Sequence, residues 1–167
     1  MSATARAARV EDAAAIAAIY NEGITDRIAT FETEPRTAEQ IVRWFDGRHP
    51  IVVAEAEDGA VLAFASTSAY RDRACYAGIA EFSVYVARKH RGSGAGRVAM
   101  AALIDAATRA GFWKLVSRIF PENAASLALM ARMDFRVVGT YRRHGRLDGQ
   151  WRDCVVVERL LGAAAEP

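Results

Sequence analysis

In 167 residues the chain has two cysteines, three histidines and four prolines, and each scarcity removes a class of protein. Cys75 and Cys154 cannot build a disulfide framework, and with three scattered histidines they match no metal-ligand spacing, so no metal site is expected. Free thiols suit a reducing cytosol, and a cytoplasmic location is the expectation. No stretch approaches the roughly 18 apolar residues of a membrane span, and the first residues carry no apolar signal core. An excess of one charge is missing too. The 22 Lys plus Arg against 20 Asp plus Glu leave +2, too even to argue for a nucleic acid or an anionic membrane as partner.

What is present points to one filled core. Hydrophobic residues make up 52% of the chain, which suits a single domain, expected over residues 1–162, with 163–167 as a short tail. The most informative stretch runs from Phe82 to Arg97. Ser83 to Val86 are β-formers; Arg91-Gly92-Ser93-Gly94-Ala95-Gly96-Arg97 has glycine at every second position; Val98 to Ala110 has no Gly or Pro and repeats apolar residues at helical spacing. A strand therefore delivers a turn to a helix N-terminus. The first N–H groups of a helix lack internal partners and the helix dipole is positive there, so this is an anion site. Glycine lets the backbone come close, and Arg88, Lys89, Arg91 and Arg97 add charge. One dipole contact is worth only roughly 0.3 to 1 kcal/mol, so several N–H groups and an arginine must act together, as a pyrophosphate requires. No Lys-Ser/Thr follows the last glycine, which excludes the Walker A loop, and Arg97 stands where a dinucleotide fingerprint needs its third glycine. A plain surface turn is the alternative, but it needs one glycine.

The remaining chain alternates in a readable order. Ala5 to Arg9 is a short strand; Glu11-Asp12 opens a helix with Ile16, Ile19, Tyr20 and Ile24 at helical spacing. Residues 29–35 form a loop carrying Phe31 that walls a ligand site. Thr37-Ala38-Glu39-Gln40 is a capping box for a second helix extending through Ile41, Val42, Trp44 and Phe45. Strands at Ile51 to Glu57 and Val61 to Ala69 are joined by Asp58-Gly59, and a third follows at Ala80 to Val86. After the glycine loop and its helix come a strand from Phe112 to Ile119, a helix from Ser126 to Met133, and two strands, Arg136 to Arg143 and Trp151 to Leu161, around Leu147-Asp148-Gly149.

Arg-Gly-x-Gly-x-Gly after an apolar strand resembles the coenzyme A pyrophosphate loop of the GCN5-related N-acetyltransferase (GNAT) superfamily, and the order of elements from Ala5 to Leu161 is similar to that fold. The resemblance implies an α/β fold, a mixed seven-stranded sheet flanked by helices. Within the superfamily, Tyr70-Arg71-Asp72-Arg73, Ala80-Glu81-Phe82-Ser83-Val84-Tyr85-Val86 and Pro121-Glu122-Asn123-Ala124-Ala125-Ser126 resemble the phosphinothricin, methionine sulfone and arsinothricin N-acetyltransferases. It implies acetyl-CoA as cosubstrate, held by the backbone of Val84, Tyr85 and Val86, by Arg91, Gly92, Ser93, Gly94, Ala95, Gly96 and Arg97, and by Asn123 and Ser126. Asn123 also suits a helix cap.

Glu81 opens an otherwise apolar strand, where a carboxylate needs a partner. A structural ion pair with an arginine is one reading. The other, which the resemblance implies, is a base that deprotonates the acceptor's ammonium, with the Val84 N–H as donor to the developing oxyanion. Arg71 and Arg73 alternate after a strand; if the extension continues, both guanidinium forks face one anionic group of the acceptor, with Phe31 nearby, and otherwise they serve solubility. Departures from the resembled pattern are Leu129-Met130 where an acid for the leaving thiolate is usual, Asp134 in place of Gly, and Gly78 in place of Tyr. The expected activity is acetylation of the α-amino group of a small amino acid in a homodimer. A protein, peptide or polyamine acetyltransferase and a non-catalytic acyl-CoA sensor are the rivals; a sensor has no use for Glu81.

Overall fold

Period-two alternation decides which residues the sheet buries, and the computed structural model of residues 2–167 shows it strand by strand; Met1, the first residue of the expected domain, lies outside the described residues. The strands are β1 (Thr4–Ala7), β2 (Ile51–Glu55), β3 (Val61–Ala69), β4 (Ile79–Val86), β5 (Lys114–Ile119), β6 (Arg136–Leu147) and β7 (Gln150–Leu160). They form one seven-stranded sheet in the order β1-β2-β3-β4-β5-β7-β6. Only β4 and β5 run parallel; every other pair is antiparallel. The helices are α1 (Ala13–Asp26), α2 (Ala38–Val42), α3 (Ala95–Arg109) and α4 (Ala124–Arg132).

Val52 and Ala54 of β2 and Ala80 and Phe82 of β4 bury on one face against Ala99, Met100, Leu103 and Ala107 of α3 and Met130 of α4. The alternate residues Ile51, Val53 and Phe64 meet Ile16, Tyr20 and Ile24 of α1 and Ile41 of α2 on the other. A fully buried side chain of this size contributes about 1.5–3 kcal/mol, so these two layers carry the fold. On β4 the same alternation sets Glu81 and Tyr85 on the α1 side, away from α3.

Turn chemistry is realised as the residues require. Thr37 Oγ1 accepts from the Gln40 N–H at 3.3 Å while Gln40 Oε1 accepts from the Thr37 N–H at 2.8 Å, the reciprocal capping box. Asp148 and Gly149 both have positive φ, 49° and 75°, as a two-residue hairpin turn demands. Asp134 follows α4 at φ 61°, which explains why a glycine would suit that place.

Several boundaries shift by one to three residues from expectation, and three differences have a physical reason. Helix α2 stops at Val42 because Trp44 leaves it to meet Tyr20 edge-on at 5.5 Å. Strand β6 runs past Arg143 to Leu147 through an irregularity where Arg143 takes φ 48° and its N–H bonds Asp153 Oδ1 at 2.7 Å. The last residues are not a bare tail: Gly162–Ala165 make a 3-10 turn, with the Ala164 N–H on the Leu161 carbonyl at 3.2 Å.

Candidate active site

The parallel strands β4 and β5 pair only through Ile79↔Lys114, Ala80↔Leu115 and Glu81↔Val116, then part. At the fork Ser117 Oγ donates to the Phe82 carbonyl at 2.9 Å, where a ladder bond would otherwise stand. Ligands of open α/β sheets bind beyond the carboxyl ends of such strands. The Ala87 N–H bonds Leu62 on β3, whereas the Phe82 carbonyl faces β5. Backbone groups alternate sides along a strand, so the N–H and C=O of Val84 and Val86 also face the gap, with no strand among the described residues to pair them. Tyr85 does not share this role: its backbone turns to Phe64 of β3. Its ring instead stacks on Phe64 at 5.4 Å and meets Tyr20 at 5.0 Å. Burial drives its phenol pKa up, against a Thr30 hydrogen bond, so the hydroxyl stays protonated.

The gap is lined by Ala29, Phe82, Ser83, Val84, Tyr85, Ser117, Arg118, Ile119, Asn123 and Ser126. Asn123 caps α4, its Oδ1 accepting from the Ser126 N–H at 3.2 Å. That bond uses the carbonyl of the side chain and leaves the amide NH2 for a ligand in the gap.

One end of the gap meets the glycine loop. Gly92 and Gly94 have φ 78° and 91°, a left-handed backbone that other L-residues strain to adopt. The N–H groups of Ser93, Arg97 and Val98 are taken by His90, Gly94 and Gly94 carbonyls, and that of Ala95 by Ser93 Oγ at 3.4 Å. Among the described residues, the N–H groups of Gly92, Gly94 and Gly96 have no protein acceptor. A Cβ on Gly96 would stand 3.1 Å from Val86 and 3.5 Å from Leu129, so the helix start packs closely on β4. Arg91 and Arg88 each pair with Asp26 of α1 at 2.7 Å, and the Arg88 N–H bonds Glu22 at 2.6 Å. Arg97 is exposed on the first turn of α3. A nest of unpaired amides rimmed by arginines fits a pyrophosphate, and the open strand edge fits the amide-bearing arm of coenzyme A.

The other end opens into a cavity of about 270 Å³ lined by Tyr70, Arg71, Glu81, Val116, Ser117, Arg118, Tyr141, His144 and Val156. Glu81 is one-third exposed there and pairs with Arg118 Nη2 at 3.3 Å. Both readings of Glu81 thus meet in one residue: it has an ion-pair partner, and it faces a cavity. Arg71 lines the cavity with its guanidinium 5.3 Å from the Tyr70 ring centre. Arg73 does not join it. The extension ends at Ala69, the Arg73 N–H bonds the Arg71 carbonyl at 2.9 Å, and this tight turn sends the Arg73 guanidinium onto Tyr76 at 5.5 Å. Phe31 is not among the lining residues either. It meets Phe120 edge-on at 4.8 Å and covers Gly145, anchoring its loop over Leu147 and Cys154. Asn21 fixes the loop's far end through two bonds to the Arg36 backbone, 2.8 and 2.9 Å.

Sequence reasoning missed Arg118, Tyr141 and the position of His144, which stacks on Tyr141 at 4.5 Å. The available signal was Ser117-Arg118, two polar residues at the end of a strand that would pair beside Glu81. At Gly78 a Cβ would overlap the Trp113 ring, so tryptophan fills the volume that a larger residue would take. Met130 is buried in the core and offers no proton to the gap.

A model of the acetyltransferase (GNAT) family matches residues 16–135. An L-methionine sulfoximine/L-methionine sulfone acetyltransferase of Pseudomonas paraeruginosa is 35% identical, covering 96% of each chain. A phosphinothricin N-acetyltransferase of Streptomyces coelicolor is 37% identical over 90% of this chain and 92% of its own. The crystal structure of a GNAT superfamily phosphinothricin acetyltransferase from Sinorhizobium meliloti, in complex with AcCoA, superposes with a TM-score of 0.90 at 32% identity, covering 100% of this chain and 94% of that one. This chain belongs to the GNAT acetyltransferase family.

Proposed function

We propose that this member of the GNAT family is an acetyl-CoA-dependent N-acetyltransferase that acetylates the α-amino group of a small amino acid with a second anionic or polar head. Phosphinothricin, arsinothricin, methionine sulfone and methionine sulfoximine define that class, and resistance to such compounds is the role that follows. The observation that carries the reading is the position of Glu81 and Arg71 in one cavity, at the point where β4 and β5 part. Acetyl-CoA supplies the acetyl group as a thioester. Glu81 takes the proton from the acceptor's ammonium, directly or through water, since only the neutral amine is a nucleophile. The Val84 N–H faces the gap and is the donor to the negative charge that develops on the carbonyl oxygen; one aligned donor is worth about 2.7–4 kcal/mol of barrier. With Met130 buried, water is the proton source for the departing thiolate. Arg71 holds the acceptor's carboxylate as a planar fork.

A cavity with two arginines and one carboxylate repels polyamines, which argues against that rival. No helix among the described residues is long and apolar enough to cross a membrane, and both cysteines are free. The free thiols are what supports the cytoplasmic location of this reading. Val137, Val138, Tyr141 and Trp151 are exposed on the β6–β7 hairpin, which supports a homodimer built on that hairpin. Light scattering after gel filtration tests the dimer.

Thiol release from acetyl-CoA, measured with phosphinothricin, arsinothricin, methionine sulfone, common amino acids, a peptide and spermidine, tests the activity. Turnover confined to amino acids with acidic or polar heads is expected. Turnover of spermidine or the peptide alone, or of nothing, removes the reading.

A further inference from the structure

Two arginines line the acceptor cavity, Arg71 and Arg118, and neither is saturated by carboxylates as Arg6, Arg88 and Arg91 are elsewhere in the chain. Arg6 places two nitrogens on Asp12 at 2.7 and 2.9 Å and its Nε on Glu55 at 2.8 Å; Arg88 and Arg91 share Asp26. Arg118 is half-exposed and touches Glu81 through one nitrogen at 3.3 Å, with a second 3.5 Å from His144 Nε2. A guanidinium has five N–H donors, and Nε of Arg118 has no acceptor among the described residues. Arg71 has no carboxylate partner among them and only the Tyr70 ring beside it. Both line the 270 Å³ cavity with Glu81, so two cations against one carboxylate leave one net positive charge in it.

Resting on the acetyltransfer reading, we infer that Arg118 is the second acceptor-binding cation and sets a preference for amino acids with an acidic head. Before the acceptor arrives, Arg118 holds Glu81 by a long, single-point contact. An incoming amino acid brings an ammonium, an α-carboxylate and a second acid, one net negative charge against one net positive. Arg71 takes one acid and the Arg118 fork takes the other, releasing Glu81 to the ammonium. A neutral sulfone head competes less well for Arg118, so Glu81 is freed for a smaller fraction of the time and the sulfone is the poorer acceptor. Arg73, on the turn that points to Tyr76, has no part in it.

The test is steady-state kinetics at saturating acetyl-CoA with phosphinothricin and methionine sulfone, for the parent, Arg118→Met and Arg118→Lys. The parent should prefer phosphinothricin. In Arg118→Met the KM for phosphinothricin should rise about ten- to a hundredfold more than that for methionine sulfone, the scale of a lost charge-assisted bond. Arg118→Lys should recover part of the preference, since it keeps the charge and loses the fork. Should Arg118→Met not fold, Arg118→Gln and Arg118→Lys carry the same comparison. A parent that prefers methionine sulfone, or variants in which both acceptors change equally, overturns the inference and leaves the acetyltransfer reading standing. A parent that turns over neither acceptor removes that reading, and the inference with it.

Discussion

The two ends of the gap between β4 and β5 are built from different materials. The end proposed for the coenzyme is backbone: three glycine N–H groups without acceptors among the described residues and the turned-out amides of Val84 and Val86. The end proposed for the acceptor is side chains that converge from β4, β5, β6 and β7 and from the turn after β3. A backbone site is a property of one contiguous segment, so a change within it destroys the site without a substitute. A side-chain site is a sum of contributions that can be removed one at a time.

The sharpest way to break the comparison is therefore at the glycines. Gly94→Val puts a β-branched residue at φ 91°, where the backbone itself must move. The rise in melting temperature on adding acetyl-CoA should disappear, although the cavity 71–81–118 is untouched. Differential scanning fluorimetry with and without acetyl-CoA checks this; a retained shift would show that the loop does not hold the coenzyme.

At the acceptor end the largest single effect should come from Glu81→Gln. Acetyl-CoA protection should persist while kcat/KM falls by about 10² or more, the scale of general-base loss. Parent-like turnover at neutral pH would assign the proton to another group. Next comes a paired measurement. Arg71→Ala should raise KM for an acidic-headed amino acid roughly ten- to a hundredfold, whereas Arg73→Ala, outside the cavity, should hardly change it. Equal losses in the two variants would mean that the turn, and not the Arg71 fork, matters.

The same difference in material explains what was legible in the sequence. The glycine loop is readable because spacing within seven residues encodes it, and the sheet order is readable because strands, caps and the two Asp-Gly turns each follow local rules. Arg73 misled because alternation holds only while a strand continues, and this one ends at Ala69. Arg118 stayed hidden because nothing within β5 says that Glu81, 37 positions earlier, lies 3.3 Å away. Pairing of parallel strands is a tertiary fact. Phe31 shows the converse: an aromatic in a loop beside a ligand site served to pin the loop on Phe120.

The smallest effect should sharpen the contrast, because it asks whether the backbone-built end is tuned by side chains at all. Asp26 holds Arg88 and Arg91 at 2.7 Å each, and those pairs, Arg88 first, keep its carboxyl below the usual carboxylate range. A carboxyl depressed on folding contributes stability above its unfolded value of about 4, and that contribution is lost as pH falls through the lower folded value. At neutral pH the tether is complete. Exposed pairs of this kind contribute little, so Asp26→Asn should lower the melting temperature by no more than roughly 2–4 °C at pH 7 and by less in acid. Affinity for acetyl-CoA should move the other way. Removing the negative charge that neutralises Arg88 and Arg91 and freeing their guanidiniums should tighten binding a few-fold, with a steeper loss in salt. Calorimetric titration of acetyl-CoA at two salt concentrations reads both. Weaker binding in Asp26→Asn would mean that Asp26 pre-positions Arg88 and Arg91 for the pyrophosphate, and that the coenzyme end, like the acceptor end, depends on side chains held in place.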